Sequence, residues 1–173
     1  MVVLYELAAS NGTNNGGAHY SSYSWRTRMA LRHKGNAFES QPVRISDKAA
    51  IAFSGQGRVP IIRHGYVVMS DSWNIAANIE TTIADAPSLF GGAAGQAVCH
   101  FVNAAADRQR MGAAAPAVAL SITQMLDPGD AAHSHAGFEK GFGKTLEELE
   151  TGRGGAPKAF RRAPFSFKKV SRS

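Results

Sequence analysis

Cysteine is almost absent: Cys99 is the single thiol among 173 residues. One thiol excludes an internal disulfide framework and any Cys-x-x-Cys redox pair. No run of about 18 apolar residues occurs, so no transmembrane helix is expected. The opening Met1-Val2-Val3-Leu4-Tyr5-Glu6 lacks a basic stretch followed by an apolar one. No signal peptide or membrane partner is therefore expected, and a cytoplasmic location is. Excess positive charge is missing from most of the chain. Of 19 basic residues seven fall within 153–173, which holds no acid, leaving 12 basic against 13 acidic elsewhere. The body is neutral and the high isoelectric point belongs to the tail, which argues against a nucleic-acid partner. No glycine cluster precedes Lys-Ser or Lys-Thr, and Gly55-x-Gly57 opens no helix, so nucleotide P-loop and dinucleotide fingerprints both fail. His133-x-His135 and Cys99-His100 have no partner pair at zinc spacing, and no metal site is expected.

At 44% hydrophobic residues the chain can bury a core. Its centre is the stretch from Gly57 to Trp73. Val59–Ile62 and Tyr66–Met69 read as short strands joined at Arg63-His64-Gly65. Ser70, Asp71 and Ser72 then offer N-cap side chains to a helix with Ile75, Ile79 and Ile83 four apart. Pro60 donates no ladder hydrogen bond, which leaves the backbone beside it free for another partner. The unpaired amides of the helix start make a polar pocket next to it.

Upstream, Val2–Leu7 predicts a strand and Ala8–Tyr20 a flexible loop rich in Asn and Gly. Ser21 or Ser22 caps a helix to about His33, and Gly35 supplies a left-handed C-terminal residue. Phe38–Ile45 predicts a strand that Pro42 confines to a sheet edge. A short helix is expected within Ser46–Gln56. Strand, crossover helix and strand form a parallel βαβ unit, and a hairpin and a helix follow. This order predicts an α/β thioredoxin-like N-terminal domain over residues 1–86. Residues 87–95 read as a linker and 96–152 as a partial all-helical domain. There Ala94–Met111 places Val98, Phe101, Val102 and Ala105 on one face, and Ala117–Leu126 places Val118, Ile122 and Met125 on another. The second helix is stopped by Asp127-Pro128-Gly129. Thr145 with Glu148 forms a capping box for Leu146–Thr151. Residues 153–173 read as a basic, disordered tail.

A thioredoxin-like half followed by a helical half resembles the glutathione transferases. Ser21-Ser22-Tyr23-Ser24-Trp25-Arg26 resembles the serine motif of the zeta class and of the β-etherase-like bacterial enzymes. Arg58-Val59-Pro60-Ile61-Ile62 resembles the family's Val-Pro, whose proline is normally cis. Ser70-Asp71-Ser72-Trp73 resembles its acidic-Ser pair. Pro87-Ser88-Leu89-Phe90-Gly91-Gly92 and Phe138-Glu139-Lys140…Thr145-Leu146-Glu147-Glu148-Leu149…Gly152-Arg153 look closest to the β-etherase-like branch. Two departures are visible. Tyr23 stands where the zeta class has cysteine, which counts against maleylacetoacetate isomerase. The family's helical domain continues past the position of Gly152-Arg153, so the resemblance implies an incomplete helical domain and a tail arising from a frameshift or truncated gene.

The resemblance implies glutathione as co-substrate and a small-molecule electrophile as partner; the missing helices would expose apolar surface that normally packs, so aggregation or a homodimer is expected. A free thiol ionises near about 8.5, so roughly 3% is thiolate at pH 7. Lowering it by about 2 units takes about 2.7 kcal/mol. A helix terminus supplies about 0.3–1 kcal/mol, rarely about 2, so a hydroxyl donor is also required. Ser21 is the first candidate and Ser22 the alternate, with Tyr20 and Tyr23 behind them. Val59, freed by Pro60, would pair its backbone with glutathione's cysteine. Asp71 would take the γ-glutamyl ammonium, and Ser72 its carboxylate. Arg58 or Gln56 could reach another carboxylate. The implied reaction is thiolate attack on an electrophile, with aryl-ether cleavage as the specific form. The alternative is an inactive, truncated glutathione-binding or interaction module.

Overall fold

Alternation along the first strand sets the two faces of the sheet. In β1 (Val2–Leu7), Val2 and Leu4 face one side and Val3 and Tyr5 the other. The computed structural model describes residues 1–9 and 17–151, excepting the side chains of 109–113, 150 and 151. The middle of the expected Ala8–Tyr20 loop and the expected tail lie outside the described residues.

α1 (Ser22–His33) follows, then β2 (Phe38–Val43), a 3-10 turn at Ala49–Ser54, β3 (Ile61–His64), β4 (Val67–Ser70) and α2 (Ser72–Thr82). The strand order is β2-β1-β3-β4. β1 pairs parallel with β2 and antiparallel with β3. The N-terminal half is thus thioredoxin-like, and a helical region follows. Pro42 lies on an edge strand, as its missing donor requires. β3 begins at Ile61 rather than Val59, because Pro60 cannot enter the ladder. The hairpin turns at Gly65-Tyr66, one step later than expected, with Gly65 at φ 60° supplying the left-handed position.

Val2, Leu4 and Ile62 of the sheet pack against Ala30 and Leu31 of α1 and Ile75 and Ile79 of α2. Each buried isoleucine contributes about 1.5–3 kcal/mol. Tyr5, Val43 and Ile61 on the opposite face cover Ile51 of the 3-10 turn. Glu6 shares the helix-facing side with Leu4 and is fully buried. It accepts from Ser40 Oγ at 2.6 Å and is ion-paired to Arg28 of α1.

The helical region runs α3 (Ala93–Ala105), a π-helical turn at Ala106–Met111, α4 (Gly112–Gln124), α5 (Pro128–Phe142) and α6 (Leu146–Thr151). α5 is absent from the sequence reading, which took Asp127-Pro128-Gly129 only as a stop. Those residues are also a start: Asp127 Oδ1 accepts from the Gly129 and Asp130 amides at 3.1 Å each, and Pro128 occupies the first turn. The apolar faces expected of α3 and α4 are not their buried faces. Val98, Phe101 and Val102 are 62%, 75% and 49% exposed. On α4 the buried positions are Ala119 and Thr123, while Val118 is exposed. Thr123 enters the interior because its hydroxyl donates to the Ala119 carbonyl at 3.0 Å. Among the described residues no helix is long and apolar enough to cross a membrane.

Three polar clasps hold the helical region to the sheet half. Arg44 donates to Asp127 at 2.7 Å and to buried Asp130 at 3.0 Å, and Ser46 also bonds Asp130. Burial works to raise the Asp130 carboxyl, but the Ser46 and Arg44 bonds outweigh it and hold it below the usual range. Arg26 of α1 reaches Asn103 at 2.8 Å and Asp107 at 2.6 Å. Glu80 fastens the chain after α2: it accepts from the Leu89 amide at 2.9 Å, from buried Lys34 at 2.6 Å and from Ser88. The Leu89 bond first, then Lys34 and Ser88, lower its carboxyl from 4.5 to about 2. A depressed carboxyl contributes stability that is complete above its unfolded value and is lost as pH falls through the folded one. Melting temperature is therefore expected to drop between pH 4.5 and about 2. Glu80→Gln is expected to flatten that drop, as scanning fluorimetry across pH would read.

Candidate functional site

Two chain segments far apart in sequence build the site. The first is the start of α1. Ser21 is its N-cap, and its Oγ accepts from the Ser24 amide at 3.2 Å. A hydroxyl that accepts this bond keeps its own hydrogen to donate elsewhere. The preceding chain is closed by a bridge between Ala8 and His19 and by a bond from the Ala9 amide to Ala18 O at 3.0 Å. A Cβ on Gly17 would stand 2.0 Å from the Ala9 carbonyl oxygen, so this closure requires glycine. Trp25 Nε1 donates to His19 O at 2.9 Å and fixes the entry to the helix.

The second segment runs from the approach to β3 to the start of α2. The Val59-Pro60 peptide is cis. Asp71 caps α2: its Oδ1 accepts from the Trp73 and Asn74 amides at 3.0 and 2.9 Å. Capping uses one carboxylate oxygen and leaves Oδ2 for another partner. Asp71 also adopts φ 71°, the one positive φ outside glycine among the described residues. Such a conformation costs on the order of 1–3 kcal/mol and recurs at ligand clamps. Ser72, the first residue of α2, is 5% exposed.

These segments meet. Arg58, Val59, Pro60, Asp71 and Ser72 line one cleft of about 350 Å³, together with Tyr23, Gln56 and Ser70. An adjoining cavity of about 240 Å³ shares Tyr23, Arg58 and Val59 with it and adds Ser21, Lys48 and Arg44. Every candidate binding residue therefore falls in the cleft, and Ser21 lies in the cavity beside it. Ser22 lines neither. Tyr23, third among the hydroxyl candidates from sequence, borders both, with the Arg26 guanidinium 4.7 Å above its ring. Tyr20 borders neither: its hydroxyl is buried without a partner, and burial, then Asp130, push it up to about 12. Arg58 and Lys48 form no ion pair among the described residues, so the paired cavities present these cations together with the Asp71 carboxylate.

A third cavity, of about 630 Å³, lies between α1, α2 and α3 and is walled by Met29, Trp73, Phe90 and Val102. It touches the cleft through Ser72 but reaches neither Ser21 nor Val59. Trp73 packs there on Phe90 and His100 with ring centroids 5.3 and 4.7 Å apart. Sequence reasoning missed the clasps, because Arg26, Arg44 and Glu80 each meet a charged or polar partner distant in sequence.

Residues 20–82 match the family model described as the glutathione S-transferase N-terminal domain, a span that contains all the candidate site residues. Over the fold, the chain is similar to a glutathione S-transferase of Ceriporiopsis subvermispora solved in complex with glutathione. That likeness has TM-score 0.80 at 22% identity and covers 92% of this chain and 69% of that one. It is also similar to glutathione transferase GSTFuA3 from Phanerochaete chrysosporium, with TM-score 0.78 at 22% identity over 93% of this chain and 70% of that one. A glutathione transferase homologue from Sulfitobacter, solved with bound glutathione, matches with TM-score 0.59 at 13% identity, covering 93% and 65%. At these identities the solved structures establish the fold, and the domain match adds the sequence. The chain is thus similar to the glutathione S-transferases in sequence over residues 20–82, which hold both segments of the site, and in fold over most of its length.

Proposed function

We propose that the chain binds glutathione in the cleft between Val59-Pro60 and the start of α2, and ionises its thiol for attack on an electrophile. The observation that carries this reading is the convergence of Arg58, Val59, Pro60, Asp71 and Ser72 on one cleft beside Ser21. The cleft volume suits a small ligand. Glutathione carries a carboxylate at each end and an ammonium at one. Asp71, with one oxygen free of capping, answers the ammonium. Ser72 and the start of α2 answer the adjacent carboxylate. Arg58 or Lys48 answers the glycyl carboxylate. Val59, outside the ladder, offers its backbone to the central cysteine, which carries the thiol toward Ser21. Relatives crystallised with glutathione support the same ligand.

The serine motif's likeness to the β-etherase-like branch supports an aryl ether as electrophile. The thiolate sulfur would bond to the ether carbon while the aryloxide leaves and takes up a proton. A homodimer belongs to the same reading, supported by the exposed Val98 and Phe101 of α3. A monomer by light scattering would remove that part alone.

The test is calorimetric titration with glutathione. Ser72→Ala removes one hydrogen bond to a carboxylate, worth about 1.5–3 kcal/mol, so binding is expected to weaken roughly 10- to 100-fold. Equal affinity in wild type and variant, or no binding to the folded chain, would overturn the assignment. Binding without turnover of any aryl ether would leave the cleft in place and point to the inactive glutathione-binding module.

A further inference from the structure

We propose that His135, Glu139 and Glu147 form a site for a zinc-type divalent cation between α5 and α6. One ligand atom from each residue lies within 4.8 Å of the others. His135 and Glu139 are one helical turn apart on α5, with Nδ1 3.4 Å from Oε2. Glu147 comes from the first turn of α6. The sequence search for His and Cys pairs passed over this set because its donors are one imidazole and two carboxylates.

The backbone holds these donors together. Gly143 ends α5 with φ 65°, turning the chain sharply back. Thr145 and Glu148 then start α6 with reciprocal bonds: the Thr145 amide donates to Glu148 at 2.9 Å, and the Glu148 amide to Thr145 Oγ1 at 3.1 Å. Leu146, 1% exposed, anchors the same turn, so Glu147 is set beside α5 by its neighbours on both sides. Two carboxylates drawn this close repel, and His135 lies beside both of them. A dication removes the repulsion. Imidazole nitrogen with carboxylate oxygens suits zinc, whereas an all-oxygen set suits calcium or magnesium. Bonds of about 2.0–2.1 Å put tetrahedral donors about 3.3 Å apart, a closure that rotation of half-exposed side chains accommodates. Water would complete the fourth position. The ion would tie α6 to α5 independently of glutathione.

The test is zinc binding by untagged full-length chain, read by competition with a chromophoric chelator and by melting temperature. One equivalent is expected to bind and to raise the melting temperature. His135→Ala and Glu147→Gln are each expected to weaken binding at least tenfold, and His133→Ala and Cys99→Ser to leave it unchanged. These side chains are partly exposed, so circular dichroism should show the variants folded. Equal binding by wild type and His135→Ala, or loss on His133→Ala or Cys99→Ser instead, would overturn the site.

Discussion

Ser21→Ala is expected to leave glutathione binding nearly intact and to lower turnover at pH 7 roughly 10- to 100-fold. The range follows from deleting one hydrogen bond to a thiolate, about 1.5–3 kcal/mol, at about 1.4 kcal/mol per decade of rate. The pH–rate profile should move to higher pH by the same amount, because the bound thiol loses the donor that favours its charged form. Ser21 is also the cap of α1, with Oγ 3.2 Å from the Ser24 amide. The alanine variant should therefore lose about 1 kcal/mol of stability as well. Ser21→Asp separates the two roles: aspartate caps as well as serine but cannot donate when ionised. Stability retained with activity lost is the expected result. Ser22→Ala should stay within a few-fold of wild type, since Ser22 lines neither cavity. If Ser22→Ala proved the damaging change and Ser21→Ala the mild one, the alternate serine would be the donor.

The largest effect on stability is expected from Arg28→Ala. Glu6 sits in β1 with no exposed surface, and Arg28, 12% exposed, is its ion-pair partner. Removing the guanidinium leaves a buried carboxylate with Ser40 as its remaining hydrogen-bond donor and His19 Nδ1 3.6 Å away. Breaking such a pair costs about 3–5 kcal/mol. For a chain of this size that lowers the melting temperature by on the order of 10 °C. The Arg28 guanidinium also lies 5.3 Å from the Trp25 ring centroid and 5.5 Å from that of Phe38, so part of the loss is packing. The double variant Glu6→Gln with Arg28→Met should recover much of the loss, because no charge then remains buried. A double variant no more stable than Arg28→Ala would assign the effect to packing instead. Differential scanning calorimetry distinguishes the two.

The sheet half was legible because its signals are local. Val2–Leu7 alternates, Ser21 and Asp71 cap where helices begin, and Pro42 and Pro60 mark places where a ladder donor is missing. Ser21, Asp71 and Pro60 also line the proposed cleft and the cavity beside it, so the residues that meet there were legible with the fold. Strand ends shifted by a residue or two at the hairpin, where Gly65 rather than His64 sets the turn. The helical region was harder for a physical reason. α5 contains Ala, Gly, His and Ser in place of an apolar stripe, and its sequence start doubles as a stop for α4. On α4, Thr123 is buried because its hydroxyl satisfies itself on its own helix, which hydrophobic periodicity does not register. The buried charges Glu6 and Asp130 left no pattern, since their partners Arg28, Arg44 and Ser46 are distant in sequence. Tyr23 was ranked below the serines on motif grounds, whereas position alone shows it bordering both cavities.

The central claim is that this cleft holds glutathione and ionises its thiol through Ser21. The most direct measurement is the ultraviolet thiolate absorbance of protein-bound glutathione as a function of pH, in wild type and Ser21→Ala. The expected result is a bound thiol titrating about 2 units below the free one. In Ser21→Ala it should return most of the way to the free value while glutathione remains bound. A wild-type bound thiol that titrates like free glutathione, or a Ser21→Ala curve identical to wild type, would contradict the claim.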